Sequence, residues 1–511
     1  MNNIEEKTFG EKIREWANLY TNSIAMEDDE KKYTYLELMD NSLKMSNFFL
    51  DLGIKKGDNV LVQLTNSTTL IFSILGLAEI GAAPILVLPA HRENEINGIT
   101  KVAKPVAYLS QEMYMEEDIS SMAKEIKEKH ECIKNLVFQS ELEKIIDNDN
   151  YFYDKKRKYE TPSPSDIAIL LLSGGTTGIP KLIPRTHKDY IYNNKMASER
   201  CKITNKDVYL ACMPIAHNFT LGCPGIFGTF YVGGKVIISN STTPLEIFDY
   251  ISEKKVTFTS MVPSIALMCT QMLEWDDSFD LSSIKSVLVG GAVLERQLAC
   301  KIVDLFKCNL IQVFGTAEGL ICCTSIYDDF ETIVSTQGKP ISPYDEIRIV
   351  DENDNEVEVG ELITKGPYTI KGYYKLEEVN KTCFTKDGFY RTGDKARFTK
   401  EGNIQILGRI KEQINRAGEK IMPHEIEENI LSHNDVTDCA VVGIKDEVVG
   451  NSIYAFIIAN REITLDEMKK FLKDRKLAEY KMPDKVVRLD KFPLTAVGKV
   501  DKKSLALEVS K

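Results

Sequence analysis

Apolar positions along the chain follow two periods in alternation. Asp166-Ile-Ala-Ile-Leu-Leu-Leu172 is a nearly unbroken apolar run, the pattern of a strand buried on both faces. Asp58-Asn-Val-Leu-Val-Gln-Leu64 and Pro84-Ile-Leu-Val-Leu88 predict two further strands, with a helical pattern over Asn66–Gly81 between them. Val208–Cys212, Lys235–Ser239, Thr257–Val262, Ser286–Val289 and Leu310–Phe314 are short apolar segments. Each is followed by a polar or glycine-containing turn and then a helical pattern. Strand and helix in alternation predict α/β layers with largely parallel sheets, whose ligands collect at the carboxyl ends of the strands. Residues 1 to about 55 read as helical up to the first of these strands. The charged, lysine-rich stretch 112–160 reads as solvated surface helix and loop.

The texture changes from Thr336. Gly338, Pro340, Gly360, Gly366, Pro367 and Gly372 punctuate short alternating segments such as Glu346-Ile-Arg-Ile-Val350, which predicts a small β-rich unit. It changes again near Gly408-Arg-Ile-Lys411. Beyond it Asn415–Lys420 reads as a polar turn, Pro423–Leu431 as the start of a helix, Val441–Gly443 and Ile453–Ile458 as strands, and Leu465–Asp474 as a helix. The expected architecture is therefore α/β. A large N-terminal body over residues 1–410 holds two α/β subdomains plus the small β-rich one, and a small α+β C-terminal domain spans 411–511.

Composition narrows the function. The 511 residues are 43% hydrophobic and 27% charged, with a net charge of −12, which argues against a dominant role on nucleic acid or an anionic membrane. The first residues contain no apolar signal-peptide core. The longest apolar stretch, near Leu70–Leu88, is broken by Glu79, Gly81 and Pro84, and falls short of the ~20 apolar residues a spanning helix needs. Eleven scattered cysteines match no zinc spacing, and read as reduced thiols of a cytosolic protein.

The apolar run 166–172 opens into Ser173-Gly-Gly-Thr-Thr-Gly-Ile-Pro-Lys181. Gly174, Gly175 and Gly178 allow positive φ and a close approach of main-chain N–H groups to an anion. Ser173, Thr176 and Thr177 add hydroxyl donors, and Lys181 adds a mobile positive charge. Three glycines, three hydroxyls and a lysine in nine residues exceed what a tight turn requires, so the stretch reads as a phosphate cradle. It is not a Walker A loop: no glycine directly precedes Lys181, and Leu182 stands where that motif places the magnesium-binding hydroxyl.

Four more stretches follow in order: Val313-Phe-Gly-Thr-Ala-Glu318, Tyr390-Arg-Thr-Gly-Asp394, Gly408-Arg409 with Asn415-Arg-Ala-Gly-Glu-Lys420, and Pro493-Leu-Thr-Ala-Val-Gly-Lys499. Together with the glycine loop they resemble the adenylate-forming superfamily over essentially the whole chain. Pro184-Arg-Thr-His187 and Met213-Pro-Ile-Ala-His-Asn218 are similar to its stand-alone aryl-acid branch, which makes 2,3-dihydroxybenzoyl- or salicyl-AMP for siderophore assembly. The resemblance implies ATP and Mg2+ as cofactors. It implies that the glycine loop holds the β- and γ-phosphates, that Glu318 helps bind magnesium, and that Thr316 lies near the α-phosphate. Gly290, Gly291, Ala292, Val313, Phe314 and Gly315 are expected at the adenine and aryl sites. Asp394 is expected to accept both ribose hydroxyls, with Arg409 reaching the same sugar. Lys499 is expected to bridge carboxylate and α-phosphate. Lys411 occupies the hinge about which a mobile C-terminal domain would swing, bringing Gly418, Glu419 and Lys420 to a pantetheine tunnel. Ala417 replaces the first glycine of the commoner Gly-Gly-Glu-Lys.

In the acid pocket the resemblance makes His217 a gate near the carboxylate, and Asn218 the partner of an ortho hydroxyl on the ring. Phe219, Cys223 and Ile321 stand where dihydroxybenzoate enzymes commonly carry tyrosine, serine and valine. These changes make the pocket less polar and tighter, and lean towards salicylate or another 2-hydroxyaryl acid. The expected acceptor is a phosphopantetheinylated aryl carrier protein. With twelve residues after Lys499, a fused carrier domain is not expected, so it would act in trans. Free coenzyme A as the acceptor, or a catalytically idle nucleotide-binding scaffold, are the alternative readings.

Overall fold

Every residue of the helix Thr68–Glu79 is buried. Its sequence is apolar all round, so it has no solvent face and can exist only between two layers. Ser67 caps it, its Oγ accepting from the Leu70 N–H at 3.2 Å, and the buried Glu79 is held by both guanidinium arms of Arg14 at 2.7 and 2.8 Å. One core cluster joins Leu75 and Leu77 of this helix to Val60, Val62 and Leu171 on one sheet and to Tyr209, Val236 and Val313 on another.

The computed structural model describes residues 4–152, 154, 156–173, 181–416, 419–446, 449–495 and 498–509. The first sheet has six strands in the order Leu182–Thr186, Ile167–Leu172, Ala83–Leu86, Asn59–Gln63, Ala107–Ser110 and Asn135–Phe138. It is parallel except for the edge strand Leu182–Thr186. The second has nine strands. Its parallel interior runs Asn309–Gly315, Ser286–Gly290, Phe258–Met261, Val208–Ala211, Lys235–Ile238 and Ile24–Glu27. Antiparallel edge strands Ile321–Cys323, Lys339–Pro340 and Lys32–Thr34 complete it.

Three expectations need correction. The stretch 112–160 is not only surface helix and loop, because it holds the sheet strand Asn135–Phe138, which pairs with Ala107–Ser110. Residues 1 to about 55 are not wholly helical: between the helices Phe9–Tyr20 and Tyr35–Asp51 lies the hairpin Ile24–Glu27 and Lys32–Thr34. These strands hold four and three residues, too few to interrupt a helical pattern visibly, and they form because Ile24–Glu27 finds Lys235–Ile238 far along the chain. The polar turn at 415–420 belongs to a second hairpin, Ile414–Arg416 with Glu419–Ile421.

The glycine- and proline-punctuated region is a four-stranded antiparallel sheet, Glu346–Val350, Val359–Lys365, Tyr390–Phe398 and Ile404–Arg409. The C-terminal unit has its own core. Strands Val436–Asp446, Gly450–Ala459 and Lys485–Arg488 pack against helices Pro423–Leu431 and Leu465–Asp474 through Ile426, Ile430, Val441, Ile457, Met468 and Leu472. Among the described residues no helix is long and apolar enough to cross a membrane.

Candidate active site

The parallel strands Ser286–Gly290 and Asn309–Gly315 end side by side, Gly290 opposite Val313. A β-carbon at Gly290 would lie 2.4 Å from the Val313 carbonyl oxygen, so only glycine fits there, and Cζ of Phe219 closes the same spot. Gly291 has φ +87, in the left-handed region, and Ala292 beside it is exposed. A β-carbon at Gly291 would stand 3.5 Å from Cε of Lys499 and 4.0 Å from its Nζ. The lysine of the C-terminal unit thus lies against a strand end of the large body. Its turn is fastened there, because Ser264 Oγ donates to the Gly498 carbonyl at 2.6 Å. Burial, then the neighbouring Arg409, depress the Lys499 pKa, while Asp394 and Glu412 pull it back up.

Lys499 shares a small cavity with His217, Phe219, Thr220, Val262 and Gly291. His217 precedes the short helix Asn218–Gly222 and caps it, Nδ1 accepting from the Phe219 N–H at 3.2 Å. With Nδ1 accepting, the neutral ring carries its proton on Nε2. Burial, with the Lys499 charge behind it, lowers the His217 pKa to about 4, so the ring faces the cavity uncharged at neutral pH.

Asn218 is buried, with Oδ1 accepting from the Tyr190 hydroxyl at 2.7 Å and Nδ2 donating to Sγ of Cys223 at 3.4 Å. Burial pushes the Cys223 thiol up to about 12, which keeps it a neutral acceptor. Ile321 is buried against Gly315, where a β-carbon would be 3.4 Å from its Cγ1. Tyr190, which gives the asparagine amide a fixed orientation, lies in the helix His187–Cys201 and belongs to no motif that sequence reasoning uses.

Asp394 faces Arg409 across the strands Tyr390–Phe398 and Ile404–Arg409. Its Oδ1 is 3.1 Å from Arg409 Nε, and Arg409 Nη1 donates to the Thr392 carbonyl at 2.8 Å. Asp394 is only 4% exposed, and its Oδ2 has no hydrogen-bond partner among the described residues. Burial raises its pKa to about 6 against the opposing charge of Arg409. A buried carboxylate oxygen left unpaired is costly unless a ligand hydroxyl completes it.

Thr316 and Glu318 form the turn after Asn309–Gly315. The Thr316 N–H donates to the Leu320 carbonyl at 2.8 Å, and Gly319 takes φ +125. The Tyr373 hydroxyl donates to Glu318 Oε1 at 2.7 Å, and Lys181 Nζ lies 4.7 Å from the centre of the Tyr373 ring. Tyr373 therefore links the lysine of the glycine loop to the acid of the 313–318 motif. Its one sequence signal is Gly372 beside it in the glycine-punctuated region.

Ser173 and Lys181 close the neck of the glycine loop: Ser173 N–H donates to the Lys181 carbonyl, and Lys181 N–H to Ser173 Oγ, both at 3.0 Å. Gly174, Gly175, Thr176, Thr177 and Gly178 lie outside the described residues, as do Ala417 and Gly418. Val313 is buried and Phe314 half-buried. Lys411 sits in the one-turn 3-10 segment Ile410–Glu412, on the connection between the two units. No cluster of three or more metal-ligating side chains occurs among the described residues. Glu318 is a lone carboxylate, a donor set that suits a magnesium ion held mainly by phosphate oxygens and water.

Residues 13–374 match the family described as AMP-binding enzyme, and residues 425–499 match the AMP-binding enzyme C-terminal domain. The 2,3-dihydroxybenzoate-AMP ligase of Bacillus subtilis is 42% identical over 513 residues, covering 99% of this chain and 94% of its own. The salicyl-AMP ligase / salicyl-S-ArCP synthetase of Mycobacterium tuberculosis is 35% identical over 482 residues, covering 93% of this chain and 85% of its own. The apo structure of MbtA from Mycobacterium smegmatis superposes with a TM-score of 0.75 at 35% identity, covering 99% of this chain and 95% of that one.

Proposed function

The chain belongs to the AMP-binding enzyme family, and from that premise we propose that it is an ATP-dependent aryl-acid–AMP ligase. The substrate is a 2-hydroxyaryl carboxylic acid of the salicylate or 2,3-dihydroxybenzoate type. A carboxylate oxygen attacks the α-phosphorus of ATP, the bond from that phosphorus to the pyrophosphate oxygen breaks, and aryl-AMP and pyrophosphate result. In the second step a phosphopantetheine thiolate attacks the aryl carbonyl and AMP leaves. The acceptor is an aryl carrier protein supplied in trans, in siderophore or nonribosomal peptide assembly.

The observation that carries this reading is the half-buried Lys499, which lines the cavity of His217 and Phe219 and feels the charge of Asp394, one of whose buried oxygens has no partner among the described residues. Two anions must meet there, and a positioned ammonium neutralises charge that grows on the phosphate oxygens. The uncharged His217 lets the substrate carboxylate approach without pairing to a fixed cation. Asp394 accepts the ribose hydroxyls, with Arg409 alongside. Ser173, the glycine loop and Lys181 hold the β- and γ-phosphates, and Thr316 serves the α-phosphate. Magnesium, held by Glu318, would supply charge neutralisation on the leaving pyrophosphate. Lys411 is the hinge between the body, 1–410, and the lid, 411–511.

Asn218, its amide fixed by Tyr190, has one N–H left for the ring's ortho hydroxyl once Cys223 has taken the other. Changing Asn218 to Ala should therefore cut the preference for salicylate over benzoate by roughly 5- to 150-fold, the ~1–3 kcal/mol of one buried polar partner. Competition between the two acids for adenylate formation measures it, and an unchanged ratio removes Asn218 from the pocket. The reading as a whole is tested by mass spectrometry of the products, with coenzyme A and a holo aryl carrier protein offered in parallel. Aryl-AMP followed by aryl thioester on the carrier is expected. A thioester on coenzyme A alone would make the chain a coenzyme A ligase, and the absence of any adenylate would leave it an idle scaffold.

A further inference from the structure

The segment that leads from Gly291 into the helix Arg296–Phe306 is touched twice by the C-terminal unit. Lys499 lies against it at Gly291, and four residues on, His424 Nδ1 meets Glu295 Oε1 at 2.8 Å. His424 stands in the first turn of the helix Pro423–Leu431, packed on the same small sheet that carries the Lys499 turn. Both side chains are about four-fifths covered. Burying a carboxylate and an imidazole is costly unless they meet, and removing one partner strands the other. We propose that Glu295 and His424 form a latch that holds the C-terminal unit in the orientation with Lys499 in the site, favouring the first step and releasing for the second. The assignment to steps rests on the ligase reading above. The contact itself does not.

The latch can act because its halves sit on different bodies. The C-terminal unit has its own core, so a rotation of that unit that withdrew Lys499 would also separate His424 from Glu295 and return both to water. A contact present in one orientation only shifts the balance towards it by its own free energy.

The surrounding charges set a pH window. Burial opposes a charged His424, yet the Glu295 contact, with Glu427 and Glu428 on its own helix, nets a pKa above 6.5. Asp438 on the strand behind is raised to about 6, by burial first and then by Glu427 and Glu295, and Glu427 is itself engaged by Lys502 at 2.7 Å. Burial raises the Glu295 pKa as well. Released, His424 would titrate near its ordinary 6.5. The imidazolium contribution is therefore complete below that pH and lost as pH rises through the raised value. At the acid end the pair is lost when Glu295 protonates.

The test uses the full chain with Glu295→Gln, His424→Asn and both together. Two readouts are taken: amide hydrogen exchange over 290–296 and 422–431, and the rates of the two steps measured separately. The single variants should lose exchange protection in both segments. They should slow adenylate formation about tenfold while thioester formation from supplied adenylate is kept or quickened. The double variant should be no worse than either single one, and His424→Asn should flatten the decline of the first step above neutral pH. Unchanged protection, equal loss in both steps, or additive effects would overturn the latch. If the unaltered protein formed no adenylate, the ligase reading would fall and hydrogen exchange alone would decide the latch.

Discussion

Replacing Lys499 with alanine is expected to lower acid-dependent adenylate formation by about two to three orders of magnitude, as loss of a single preorganised donor to transition-state charge does. Thioester formation from adenylate supplied ready-made should survive, because the role proposed for the ammonium lies in the meeting of two anions, and the second step brings in a different group. The structure gives this lysine an uncommon setting. It lies half-buried against Gly291, and its turn is tied down by Ser264. Its pKa is depressed by burial and by Arg409. The unaltered protein should thus lose its first step on the alkaline side at a lower pH than an ordinary lysine would give, and the variant's residual activity should lack that limb. Single-turnover measurements with carboxylate and with isolated adenylate separate the steps. Equal loss in both would assign Lys499 a structural role.

Changing Asp394 to asparagine should weaken ATP binding by roughly 10- to 150-fold, the ~1.5–3 kcal/mol of a hydrogen bond to a charged acceptor. The carboxylate offers two acceptor oxygens, and one of them, Oδ2, has no partner among the described residues. An amide keeps a single acceptor and turns a donor towards a hydroxyl. Asp394 titrates near 6, and only its ionised form accepts two hydroxyls, so ATP affinity should rise as pH increases through about 6. That rise should be absent in the variant. Calorimetric titration with ATP between pH 5 and 8 measures both effects. An unchanged affinity would remove Asp394 from the nucleotide site.

Much of this arrangement is legible in the sequence because the informative signals are local. Apolar runs such as Ile167–Leu172 and Ser286–Gly290 are buried on both faces of parallel sheets and need no partner to be recognised. Gly290, Gly291 and Asp394 announce themselves through neighbours in their own motifs. What the sequence hides depends on residues far apart in the chain. The hairpin 24–34 exists because one strand pairs with Lys235–Ile238. Tyr190 orients Asn218 from a helix that reads as ordinary amphipathic structure. Tyr373 joins Lys181 to Glu318 although both lie more than fifty residues before it in the chain, and Glu295 finds His424 only where the C-terminal unit meets the body. The glycine loop is the converse case, conspicuous in sequence and outside the described residues except at its neck.

The most direct measurement is acid-dependent exchange of pyrophosphate into ATP, with salicylate, 2,3-dihydroxybenzoate, benzoate and a medium-chain fatty acid offered separately. Strong exchange with the two 2-hydroxyaryl acids, weak exchange with benzoate and none with the fatty acid or without acid is the predicted result. Exchange that ignores the ortho hydroxyl, or that never rises above the acid-free background, would contradict it.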